Sequence, residues 1–188
     1  MPDNVKTSRR GFLKIGLLAT AGLAVPSFSL ASISPAAGPR EKSLTLLNQH
    51  TGESLENIVY WENGNYLTES LDAIDYLCRD YRTGEIMAID RQLLDLLFEI
   101  NRRLPASKTE NIIISGYRSP ETNAQLRSKS RRVAKKSYHL KGQALDIRIP
   151  GCDLRNVKKL ALKLHKGGVG YYPRSQFVHI DTGPVRAW

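Results

Sequence analysis

The chain has 188 residues, a formal charge of +10, 41% hydrophobic and 24% charged residues. That bounds it to one modest folded domain plus a leader and argues against a disordered chain. The basic balance points to an anionic partner: nucleic acid, an acidic membrane surface or an anionic polymer.

The N-terminus narrows that choice. Ser8-Arg9-Arg10-Gly11-Phe12-Leu13-Lys14 is a twin-arginine core, an apolar run from Ile15 to Val25 follows, and Ser29 and Ala31 suit a signal-peptidase cut. Residues 1–31 therefore read as a Tat export signal. The competing reading is a membrane anchor. Gly16, Gly22 and Pro26 interrupt the run, which is short against the ~20 apolar residues a span needs. Cleavage leaves a chain that is still basic. Outside the inner membrane the obvious anionic polymer is peptidoglycan, so the expected partner is the cell wall. Nucleic acid is not expected, and membrane contact is expected only in passing, during export to the periplasm.

Residues 32–45, rich in Ser, Pro, Ala and Gly before "PREKS", read as a linker to a domain over 46–188. In "IVYWENGNYL" the Asn63-Gly64 pair between aromatic flanks predicts a hairpin. Leu71, Ile74, Leu77 and Cys78 share one helical face, with Thr68 as the expected N-cap. Leu93, Leu94, Leu97, Phe98 and Ile100 repeat that pattern up to Pro105. "NIIIS" is a short strand, and Ser119-Pro120-Glu121 opens a helix. "KSRRVAKK" reads as a basic loop, "QALDIRI" as a strand, Asp153 as the cap of an amphipathic helix, and "GGVGYY" and "FVHID" as closing strands. This order favours α+β with a small antiparallel sheet and flanking helices. Cys78 and Cys152 permit one bridge, or two free thiols, without deciding between them.

Alternation sorts the late strands by face. Ala144, Asp146 and Arg148 point one way, Leu145, Ile147 and Ile149 the other; Phe177, His179 and Asp181 oppose Val178 and Ile180. If the strands are neighbours, Asp146 and His179 converge, and His139 can reach them across a loop turned by Gly142. Two imidazoles and a carboxylate can hold a catalytic zinc with one position open. On spacing alone a hydrogen-bonded His-Asp pair is the commoner arrangement.

"SYHLKGQALDI" resembles the SxHxxGxAxD(I/L) signature of the zinc D-Ala-D-Ala peptidases, a superfamily sharing its fold with the hedgehog signalling domain. "SGYRS" upstream and "FVHID" downstream fall in that family's order, and the resemblance covers about residues 45–188. With the Tat leader and the "FVHIDTGPVRAW" ending, the chain looks like the YcbK-like murein endopeptidase branch. The resemblance implies one zinc per chain, with His139, Asp146 and His179 as ligands. It also implies peptidase activity on peptidoglycan stem peptides or cross-links.

Two further residues are singled out, Arg118 by the same resemblance and Asp181 by its place on the face of His179. Arg118 is expected to bind or polarise substrate, with pairing to Glu121 as the bland alternative. The family's acid three residues before the last histidine is replaced by Gln176, and a second histidine found in others is replaced by Phe177. Asp181, on the same face as His179, is the candidate base, or a carboxylate behind the ligands; a salt bridge to Arg148 or Arg186 is its structural alternative. Gln176 also keeps open a non-catalytic wall-binding module with a structural zinc. His50, His165, Tyr138, Tyr171 and Tyr172 receive no chemistry.

Overall fold

Leu44 and Leu46 alternate with more exposed neighbours along Glu41–Asn48 (β1), the pattern of a strand with one buried face. The computed structural model describes residues 39–105, 110–131 and 133–188, all within the unit Ala37–Trp188. The expected export signal, residues 1–31, and residues 32–38 of the expected linker lie outside them. The rest of the expected linker does not hold, because β1 begins at Glu41. Its charges decorate a strand: the Lys42 ammonium pairs with Asp95 at 2.9 Å and lies 4.7 Å from the centre of the Trp61 ring.

Ser54–Glu62 (β2) pairs antiparallel with β1 and turns at Asn63-Gly64 into Asn65–Tyr66 (β3). Both turn residues have positive φ, 47° and 94°, which a two-residue hairpin of this hand requires. Thr68–Leu77 (α1) buries Leu71, Ile74 and Leu77. Thr68 is its first residue rather than its cap: Leu67 holds the cap position, with its N–H on the Tyr60 carbonyl, so the tie to β2 sets the helix start. Arg91–Asn101 (α2) is capped by Asp90, which accepts from Gln92 N.

Glu110–Ser115 (β4) leads to Pro120–Lys129 (α3), capped by Ser119 with proline in the first turn. Ala144–Arg148 (β5), Leu154–Leu164 (α4, capped by Asp153), Gly168–Tyr172 (β6), Phe177–Asp181 (β7) and Arg186–Ala187 (β8) complete the order. No helix among the described residues is long and apolar enough to cross a membrane.

The architecture is α+β, but the sheet is neither small nor purely antiparallel. Among the described residues, eight strands run in the order β3-β2-β1-β4-β5-β7-β6-β8, with β1/β4 and β6/β8 parallel. The β1/β4 pairing is possible because α1 and α2 lie between those strands in sequence and carry the chain back, as a parallel pair demands. Leu44, Ile113, Leu145, Ile147, Val169, Val178 and Ile180 from the strands join one buried cluster with α1, α2 and α4. Covering the aliphatic face in this way leaves the alternate residues of β5 and β7 for the other side.

Candidate active site

The register of β5 on β7 places Asp146 opposite His179 and Ala144 opposite Asp181. On its other edge β5 sets Asp146 against Ser115 of β4. Asp146 thus stands on an interior strand, where its backbone is fully engaged and its carboxylate is held to one face.

His139 arrives from a single 3₁₀ turn, Tyr138–Lys141, which ends at Gly142 in the left-handed region (φ 65°). The Ser137 hydroxyl accepts from His139 N, and the His139 carbonyl accepts from Arg118 N at 3.1 Å. The loop after α3 is therefore stitched back onto the end of β4. His139 Nδ1 lies 2.7 Å from the Gly116 carbonyl. A carbonyl only accepts, so Nδ1 carries a proton, and Nε2 is the nitrogen left for a metal. That Nε2 lies 3.4 Å from Asp146 Oδ1.

His179 is held at both nitrogens. Nδ1 meets Asp146 Oδ1 at 2.8 Å and Nε2 meets Asp181 Oδ2 at 3.0 Å. One ligand atom from each of His139, Asp146 and His179 lies within 4.8 Å of the others, and all three residues are buried. Burial works against charge on Asp146 and His179, yet the pairing wins. The His179 imidazole is raised to about 9 despite burial, because it bonds to Asp146 and Asp181. Asp146 falls well below the usual carboxylate range, against burial, through His139 and His179.

This donor set fits a metal ion. Two imidazole nitrogens and one carboxylate suit zinc and leave a coordination position free. Nδ1 of His139 is taken by the Gly116 carbonyl, so Nε2 is the nitrogen that faces the other two groups. The partner behind each imidazole, Gly116 O and Asp181, is the kind that orients a metal-ligating histidine.

Asp181 is fully buried. Oδ1 accepts from Gly168 N, Gly183 N and Arg186 Nη1, at 3.1, 2.8 and 3.0 Å. Oδ2 accepts from Arg186 Nη2 at 2.6 Å and from His179 Nε2. Burial opposes its charge, but His179, Arg186 and Gly183 N hold its pKa far down. The salt bridge expected with Arg148 or Arg186 is thus made with Arg186, while Arg148 bonds Gln49.

Arg118 lines the same cleft as the three candidate ligands. Its guanidinium reaches Asn123 Oδ1 and Ser115 Oγ, each at a long 3.4 Å. Its Nε is buried without a partner among the described residues. Burial lowers its pKa, against the pull of Asp146. The group keeps bonding capacity that the protein does not use.

The cleft holds about 650 Å³ and is also lined by Tyr138, Tyr172, Phe177, Arg186 and Trp188. Gln176 turns away, its amide donating to the Pro173 carbonyl. Cys78 and Cys152 are free thiols; burial raises Cys78 to about 12. His50 stacks on Tyr81 and contacts the Ile114 carbonyl, and His165 is the residue that ends α4. Sequence reasoning passed over Trp188 and met Arg186 only as a salt-bridge partner. Their two-residue spacing, which puts both on one side of a strand, was the available signal.

The sequence matches a family of the M15 peptidase type, described as peptidoglycan L,D-endopeptidase MepK, over residues 34–188. Peptidoglycan L,D-endopeptidase MepK of Escherichia coli (strain K12) is 46% identical over 186 residues, covering 99% of this chain and 100% of that protein. The probable peptidoglycan L,D-endopeptidase MepK of Haemophilus influenzae is 42% identical over 184 residues, covering 98% of this chain and 97% of that protein. No solved structure matches significantly.

Proposed function

Since the chain belongs to the M15-type family described as peptidoglycan L,D-endopeptidase MepK, we propose that it is a zinc metallopeptidase hydrolysing peptide cross-links of peptidoglycan. The observation that carries this reading is the convergence of His139, Asp146 and His179 in an open cleft. His139 would hold zinc through Nε2, Asp146 through its carboxylate and His179 through Nδ1. Zinc bound there supplies a Lewis acid that polarises the scissile carbonyl and acidifies water at neutral pH.

Around that centre the chain's own groups take separate tasks. Gly116 O and Asp181 orient the two imidazoles by accepting their outer N–H protons. Asp181 acts in positioning and not as the base: both its oxygens are engaged and no part of it meets solvent. Arg118, whose guanidinium lines the cleft on two long bonds, takes the carbonyl oxygen of the substrate as charge builds on it. The peptidase domain includes β1 and so runs from about Glu41. Residues 1–31 export it through the twin-arginine pathway to the periplasm, where a basic domain meets the anionic wall.

The test is incubation of the protein, freed of residues 1–31, with isolated murein sacculi, with and without chelator. Mass spectrometry of the released fragments is expected to show cross-link cleavage that chelator stops and zinc restores. Binding without release would favour the non-catalytic wall-binding module that Gln176 leaves open.

A further inference from the structure

Trp188 is 47% exposed, yet it is pinned on several sides. Its backbone is bonded to β6 in both directions, Trp188 N to Val169 O and Tyr171 N to Trp188 O. Its indole Nε1 donates to the Tyr172 hydroxyl at 2.7 Å. The Arg186 guanidinium, already locked on Asp181, sits 4.9 Å from the indole and 5.0 Å from the Tyr138 ring. The indole centre is 5.3 Å from that of His179.

The sheet is cleared to receive this assembly. Gly170 is the cross-strand neighbour of His179 on β6. A Cβ on Gly170 would come within 2.8 Å of both the indole and the Tyr172 ring. A Cβ on Gly183 would run into the Tyr138 ring. The aromatic groups thus occupy space that side chains would otherwise fill, next to a candidate metal ligand.

A large aromatic side chain ordinarily buries its surface or is left free to move. Trp188 does neither: it is ordered in advance and keeps about half of its surface open. Fixing it before a ligand arrives removes that entropic cost from binding. Its polar edge is spent on Tyr172, so what it offers the cleft is a flat apolar surface. We propose that Trp188 is a substrate-contacting specificity residue, the platform on which the aliphatic part of a stem peptide lies beside the scissile bond. This rests on the peptidase reading above.

The test uses Trp188→Ala and Trp188→Phe in the zinc-loaded protein. Initial rates are measured on soluble cross-linked muropeptide dimers, with calorimetric titration by the cleaved muropeptide product and metal analysis alongside. Trp188→Ala is expected to raise KM and product Kd roughly tenfold. It should leave kcat within about threefold and the zinc content unchanged, and Trp188→Phe should recover most of the loss. A fall in zinc content, a fall in kcat at constant KM, or no change in any of these would overturn the proposal and leave Trp188 a structural cover for His179. If the wild type binds product without cutting dimers, the peptidase reading fails while the Kd ratio still judges Trp188. If it neither binds nor cuts, both fall.

Discussion

Asp95 and Asp146 are both carboxylates set among buried aliphatic neighbours, and they ended in opposite roles. Asp95, on α2, accepts from the Tyr60 hydroxyl at 3.0 Å and the Tyr66 hydroxyl at 3.1 Å, and pairs with Lys42 at 2.9 Å. Its partners are donors: burial and Asp95 itself push the Tyr60 hydroxyl far above its usual range, so it keeps its proton. Asp146 faces two imidazoles, each a lone-pair donor in its neutral form. The first cluster is complete as it stands. The second calls for a cation, and in the metal-free protein a proton on His179 serves. A carboxylate among aliphatic neighbours therefore marks a site according to what its partners can donate.

The largest contrast comes from removing each carboxylate in turn. Asp146→Ala is expected to abolish zinc uptake and reduce peptidoglycan cleavage to background, while circular dichroism stays native. Arg118→Ala is expected to retain zinc and lose about 10²–10³ in kcat, the usual loss for a missing group that stabilises developing charge. Rates near wild type would return Arg118 to a structural role.

Smaller effects sharpen the same contrast. Asp181→Asn should weaken zinc binding about 10–100-fold in a chelator competition, as loss of a partner behind a metal-bound histidine commonly does. Unchanged affinity with a large rate loss would instead revive Asp181 as the base. After chelation, His179 contributes stability through a pKa raised from 6.5 to about 9. That contribution is fully present below pH 6.5 and is lost as pH rises through about 9. The melting temperature of the metal-free protein should therefore fall across that window relative to the His179→Gln variant. Asp95→Ala should cost about 1–3 kcal/mol of stability, since it strands two hydroxyls and an ammonium. Zinc content and activity should not move, and a change in either would break the division between the clusters.

Local chemistry made much of this legible in advance. Asn63-Gly64 announced its hairpin because few residues accept positive φ at two successive positions. Asp90, Ser119 and Asp153 occupy cap positions, two of them read beforehand, because a short polar side chain ahead of an apolar-periodic run satisfies the free N–H groups. Thr68 failed as a cap because a backbone bond from Leu67 to β2 took precedence over a side-chain preference. The start of β1 was missed because Glu41 and Lys42 look like surface charge until Asp95 and Trp61 are set beside them.

By itself the sequence determined which way each side chain of β5 and β7 would face, since strand alternation is a local property of the backbone. It also named His139, Asp146 and His179 together, through their resemblance to a known spacing. Tertiary structure decided the rest: that Asp146 stands opposite His179, that Gly116 sets the tautomer of His139, that Arg186 engages both oxygens of Asp181, and that Trp188 lies over Gly170 at the cleft. Strand order and register depend on contacts between segments far apart in the chain, and no window of local pattern contains both partners of such a contact.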